Sequence, residues 1–160
     1  SLIPSLTVTH YRKMQLDKIQ SDLKIAQLAK DELKTSTLRL LLAEIHNQEI
    51  QNRAPLDEEG IVSVIQREVK KRKEAANGFR AGGRDEQAIR EDEEAKILQE
   101  YLPAQISDEE LTNLVSGTIT ELGATSLADM GKVIGVVMDK VAGKADGGRV
   151  SALVKEKLNI

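Results

Sequence analysis

The 160-residue sequence contains no cysteine. Disulfides, thiol nucleophiles and thiolate-built zinc or iron–sulfur sites are therefore excluded, and a reducing compartment is permitted. Histidine is almost as scarce: His10 and His46 are too few for a histidine-based metal site or for a Ser–His–Asp set. Aromatic residues make up 2% of the chain, namely Tyr11, Phe79 and Tyr101. Platforms for stacking unpaired bases are thus largely missing. No apolar run approaches the roughly 18 residues of a membrane span. The longest, "LRLLLAEI" and "VIGVVM", have the length of core helices. The formal net charge of −3 gives no global attraction to nucleic acid or to an anionic membrane, so any such attraction must come from a local patch. Neither a membrane nor DNA is an expected partner.

What remains is a chain that is 31% charged and dominated by Ala, Leu, Glu, Lys and Gln, which favours helices around an aliphatic core. "SLIPSLTVTHYRK" (1–13) lacks helical periodicity and is expected to be a flexible N-terminal tail; either Met14 is the natural start, or the stretch is a leader or an appended remnant. Apolar spacing then predicts a helix near 14–29 (Leu16, Ile19, Leu23, Ala26, Leu28) and a second near 32–52, capped by Asp31. Asp57 caps a third, with Ile61, Val62, Ile65, Val69, Ala76 and Phe79 inward, and Gly82–Gly83 turn the chain. A fourth helix runs from Asp85 to about Tyr101. Pro103 breaks the pattern. Ser107 and Glu110 form a capping box for a fifth helix, which ends at Gly123. A sixth starts at Ser126 or Asp129 and runs to about Val141. Asp146 caps a seventh, with Val150, Leu153, Val154 and Leu158 inward. No period of two persists. The prediction is an all-α, multihelical fold in two subdomains, residues 14–103 and 104–160, with a hinge at 103–107.

Catalytic motifs are wanting. Lys34 and Ser36, two apart on a helix, point in different directions and form no Ser–Lys pair. "GKA" (143–145) has Ala145 where a phosphate loop needs Ser or Thr, and no glycine five residues upstream. "DKVAGKADGG" fails the calcium-loop spacing, and "EDEEAK" (91–96) reads as a solvated face. No catalytic residue, metal or cofactor is expected.

Charge is more informative. Residues 66–84 hold seven basic and two acidic side chains, whereas residues 85–100 hold two basic and seven acidic. Two arrangements are open: helices three and four neutralise each other as a hairpin, or Lys70, Lys71, Lys73 and Arg80 face an anionic partner. Residues 131–157 carry six basic and three acidic groups. Gly131 and Gly135 lie one turn apart, each costing about 1 kcal/mol relative to alanine. Either another helix crosses there or a ligand backbone approaches. Lys132, Lys140 and Lys144 would ring such a surface. The start of the seventh helix presents free N–H groups suited to a phosphate, with Asp146 competing for them.

The segment "DMGKVIGVVMDKVAGKADGGRVSALVKEKL", preceded in order by "STLRLLLAEIHNQEI", "VIQREVKKRKEA" and "EEAKILQEYLPAQISDEEL", resembles the YqeY-like family. Through it the chain resembles the C-terminal tail domain of the GatB subunit of tRNA-dependent amidotransferases, over about residues 14–159. The resemblance implies two helical subdomains and a tRNA-contacting role without the glutaminase or kinase-like machinery. Carbon–nitrogen ligase activity with glutamine as amide donor would follow only within a larger complex. The nucleic-acid-binding candidates are Gly131, Lys132, Gly135, Lys140, Gly143, Lys144 and Arg149, with Lys70, Lys71 and Lys73. Two departures stand out: Asp146–Gly147 replaces the Asn-Pro common in amidotransferase tails, and Asn77–Gly78 weakens the third helix. With so few aromatics, recognition of folded tRNA would be by shape and phosphate. Amidotransferase or aminoacyl-tRNA synthetase components are the implied protein partners. A protein-interaction adaptor with a basic docking patch is the alternative. The expected setting is the bacterial cytoplasm, with the mitochondrial matrix as alternative.

Overall fold

A computed structural model describes the backbone of residues 2–158 and the side chains of residues 14–158. His10 and Tyr11 therefore have side chains outside the described residues, as has the tail expected over residues 1–13. Helices joined by turns and short irregular segments make up the described backbone, with no strand among the described residues, so the fold is all-α. It divides into two compact units, residues 1–102 and 103–160.

Four helices build the first unit: α1 Leu2–Leu28, α2 Glu32–Asn52, α3 Glu58–Ala81 and α4 Asp85–Gln99. The backbone of α1 is helical well upstream of the expected start near residue 14. Pro4 does not prevent this, because it stands in the first turn, where backbone N–H groups have no intrahelical partner to lose. The other boundaries follow their capping chemistry. The Asp31 carboxylate accepts from the Lys34 N–H at 3.1 Å, and that of Asp57 from the Gly60 N–H at 2.8 Å. Helix α3 runs through Asn77–Gly78 without interruption. At its end Gly83 takes φ +75° and the Arg84 N–H bonds the Phe79 carbonyl at 2.8 Å, which folds α4 back along α3.

Leu38, Leu41 and Ile45 of α2, Ile61 and Ile65 of α3, and Ala95 and Leu98 of α4 close on Ile19 of α1. Phe79, expected inward, is only half-buried and lies outside this cluster. Tyr101 seals the end of α4. Its hydroxyl donates to Asp22 at 2.5 Å, and the Lys18 ammonium lies 5.4 Å from the ring centroid.

The second unit contains α5 Asp108–Leu122, a 3-10 turn at Leu127–Asp129, α6 Met130–Val141 and α7 Gly147–Lys157. Ser107 accepts from the Glu110 N–H at 3.1 Å, and Asp146 from the Arg149 N–H at 2.8 Å. Gly123 stops α5 with φ +64°. Valines dominate the core: Val133, Val137 and Val141 of α6 and Val150 and Val154 of α7 pack with Leu111 and Val115 of α5.

The opposed charge runs of α3 and α4 are partly reconciled in the first unit. Arg72 lies 3.4 Å from Glu68, 3.7 Å from Glu91 and 3.7 Å from Glu94. Arg80 pairs with Asp92, and Arg90 lies 3.5 Å from Glu94. The cleft over Glu68, Arg72 and Glu94 has no room for a water molecule. Burial, followed by repulsion from Glu91, raises the Glu94 pKa; Arg72 and Arg90 offset part of that rise.

The sign for stability follows from proton linkage. Between the ordinary glutamate range and the raised midpoint of Glu94, the folded chain holds more protons than the unfolded chain. Stability from this group is complete below that range and is lost as pH rises through the folded midpoint. Denaturant titrations of wild type and Glu94→Gln across mildly acid to neutral pH should therefore converge on the acid side. Toward neutrality the wild type should lose stability relative to the variant. Parallel curves for the two proteins would show that Glu94 does not titrate in this way.

Candidate nucleic-acid interface

The α6–α7 region begins with a constrained turn. Asp129 accepts from the backbone N–H groups of Thr125 at 3.0 Å and Ser126 at 3.2 Å. Those bonds, first Thr125 and then Ser126, hold its carboxyl below the usual range, with a smaller pull from Lys132. The expected sixth helix is thereby resolved into a 3-10 turn followed by α6 from Met130.

Along α6 the two glycines face open space. A Cβ built at Gly131 or at Gly135 meets nothing within 4 Å. Of the two readings the sequence allowed, a helix crossing at this point is ruled out, and the notches are bare. Lys132 is exposed beside them, close enough to Asp129 for its charge to act on that carboxylate. One turn beyond Gly135 on the same row stands the exposed carboxylate of Asp139, which tempers the positive field.

Lys140, expected on the same surface, is held elsewhere: its ammonium donates to Thr118 Oγ1 at 3.1 Å and to Glu121 at 2.9 Å. The chain leaves α6 through two residues of positive φ, Ala142 at +47° and Gly143 at +86°. Gly143 is buried rather than presented. Lys144 follows with its side chain in solvent and without an ion pair, and the next residue, Ala145, is fully buried. At the start of α7, Asp146 already occupies the Arg149 N–H, as its chemistry predicted. The Arg149 guanidinium reaches across to the Ile106 carbonyl at 3.0 Å and to Asp108 at 2.7 Å. Lys155 and Lys157, in the last turn of α7, are exposed and were not singled out in the sequence; their placement also suits the negative end of that helix.

In the first unit the basic run of α3 is sorted by direction. Arg72 and Arg80 turn toward α4 acids, so the expectation that Arg80 faces an outside partner is not met. Lys70, Lys71 and Lys73 remain on the surface. Lys70 has only a 4.0 Å approach to Glu74, and Lys71 reaches Glu68 at 3.3 Å. Mutual neutralisation thus accounts for Arg72 and Arg80, while the α3 lysines stay exposed. Among the described residues no group of three or more His, Asp or Glu is placed to hold a metal ion, and no helix is long and apolar enough to cross a membrane.

Against known proteins, residues 16–158 match the family model described as Yqey-like protein. Similar curated proteins carry the name "Altered inheritance of mitochondria protein 41, mitochondrial". The one from Eremothecium gossypii is 38% identical over 113 residues, covering 69% of this chain and 62% of the relative. That from Vanderwaltozyma polyspora is 34% identical over 97 residues, covering 60% and 52%. That from Lachancea thermotolerans is 34% identical over 108 residues, covering 65% and 57%. The chain thus spans between about half and three-fifths of the length of these relatives. Their names speak for the mitochondrial alternative and lend no support to the bacterial cytoplasm expected first.

The bare notches have a direct thermodynamic consequence. Gly135 is mid-helix, with ordinary helical φ and free space for a methyl group. Gly135→Ala should stabilise the second unit by about 0.4–1 kcal/mol, measured by thermal or denaturant unfolding. Destabilisation would reveal a neighbour at that position.

Proposed function

The chain belongs to the YqeY-like family, and on that premise we propose that it is a non-catalytic helical module that contacts folded tRNA through shape and phosphates. The carrying observation is the open row of Gly131 and Gly135 beside exposed Lys132, with exposed Lys144 in the following turn. Glycine removes side-chain bulk where a sugar–phosphate backbone must come close, and the two ammonium groups supply the charge. The GatB tail resemblance supports tRNA over other polyanions. The scarcity of aromatics supports backbone contact over reading of unpaired bases. Lys70, Lys71 and Lys73 provide a second basic surface in the first unit. The printed names of the relatives favour a mitochondrial setting, in which amidotransferase or aminoacyl-tRNA synthetase components are the proposed protein partners.

A second reading is an adaptor that docks an acidic protein on the α3 lysines, which are exposed and only weakly paired. Competition separates the two. Wild-type chain should bind folded tRNA in preference to an acidic polypeptide or duplex DNA. If about four phosphates are neutralised, the log–log salt slope should be about −3 to −4. Lys132→Glu/Lys144→Glu should weaken tRNA binding by tenfold or more and flatten the slope by about 2, with helicity unchanged by circular dichroism. Preference for the acidic polypeptide, with the double variant binding tRNA as wild type does, would transfer the function to the adaptor reading.

A further inference from the structure

Arg149 was expected among the phosphate contacts, yet its geometry gives it a different task. One guanidinium nitrogen donates both to the Ile106 carbonyl at 3.0 Å and to the Asp108 carboxylate at 2.7 Å. The Ile106 N–H in turn donates to the Lys144 carbonyl at 2.8 Å, and Gln105 Nε2 approaches the Gly143 carbonyl at 3.5 Å. The segment entering α5 is thereby tied to the turn between α6 and α7. That turn contains Ala142 and Gly143, both at positive φ. It also contains Lys144, whose side chain points to solvent, while Gly143 and Ala145 on either side are buried.

We propose that Arg149 is a positioning residue: it clamps residues 106–108 against the Gly143–Lys144–Ala145 turn and thereby fixes where the Lys144 ammonium is presented. The clamp deepens the tRNA reading and rests on it for its functional part. A planar guanidinium suits the task because one head serves a carbonyl and a carboxylate at once. A lysine at this place keeps the charge but lacks the planar head, and would hold the turn more loosely. Both bonds come from one nitrogen of the guanidinium, which fixes the head against residues 106–108.

The test uses the full chain, with Arg149→Ala and Arg149→Lys, and two readouts. The first is amide hydrogen exchange, which does not involve RNA. The Ile106 amide should lose protection in both variants, more in Arg149→Ala, while Val133 and Val137 amides in the core of α6 keep theirs. Unchanged protection at Ile106 in both variants would overturn the clamp. The second is binding of folded, deacylated tRNA across a salt series. A positioning role predicts affinity lower by about threefold to tenfold in Arg149→Ala, the scale of ordering one loop on binding. Arg149→Lys should also bind more weakly than wild type, and the log–log salt slope should stay unchanged in both variants. A slope reduced by about 1 in Arg149→Ala and restored in Arg149→Lys would make Arg149 a phosphate contact and overturn the positioning role. If Arg149→Ala fails to fold, Arg149→Lys carries both readouts alone. Absence of tRNA binding by the wild type would refute the tRNA reading and the functional part of this proposal, while the exchange data would still decide the clamp.

Discussion

The arrangement of the second unit depends on the turn at Ala142–Gly143. Two consecutive residues of positive φ reverse the chain after α6. For Gly143 this conformation is ordinary; for Ala142 it costs roughly 1–2 kcal/mol. The return is local and visible. The Lys144 N–H bonds the Val141 carbonyl at 2.9 Å, Ala145 drops into the core, and the valines of α7 meet those of α6. The same turn throws the Lys144 side chain outward and exposes its carbonyl to the Ile106 N–H. A single backbone device thus builds the core, presents a cation and anchors the segment that enters α5.

The first unit solves a different problem, that of a strongly basic helix next to a strongly acidic one. Uniform pairing would neutralise both faces. Instead Arg72 turns inward and Arg80 toward Asp92, while Lys70, Lys71 and Lys73 stay exposed. Arginine carries a wide, weakly hydrated, forked head and tolerates the dry cleft among Glu68, Glu91 and Glu94. Lysine, a strongly hydrated point charge on a long stem, keeps to solvent. The cost falls on Glu94, whose pKa is raised first by burial and then by the neighbouring Glu91.

Much of the fold was legible because it is written in local chemistry. Asp31, Asp57, Ser107 and Asp146 each cap the helix predicted for them, and the apolar spacing placed the cores of both units. The upstream start of α1 was not legible, since a proline in a first turn looks in sequence like one that breaks a helix. Nor could periodicity show that Phe79 would stop half-buried at the end of α3. Site geometry was less accessible still. Lys140 and Arg149 have the right type and spacing for anion contacts, but their partners Glu121 and Asp108 come from another helix. Only the packed unit brings those together. Gly131 and Gly135 drew attention by being poor helix formers, yet sequence cannot distinguish a notch that is filled from one that is bare.

Charge sets the scale at which such a surface works. The chain is net negative, and Asp139 and Asp146 stand close in sequence to the free lysines of the second unit. Few cations remain after Lys140 and Arg149 are subtracted, so the surface is suited to a few phosphates rather than to a long polyanion. Weak contact of that kind is useful when something else brings the ligand near. A second foothold raises the effective concentration at the first, and two modest surfaces then act as a stronger one without any new contact. On the tRNA reading proposed above, bare notches and exposed lysines would add grip and register to another protein's hold on the same RNA, and weak binding alone is then no objection to that reading.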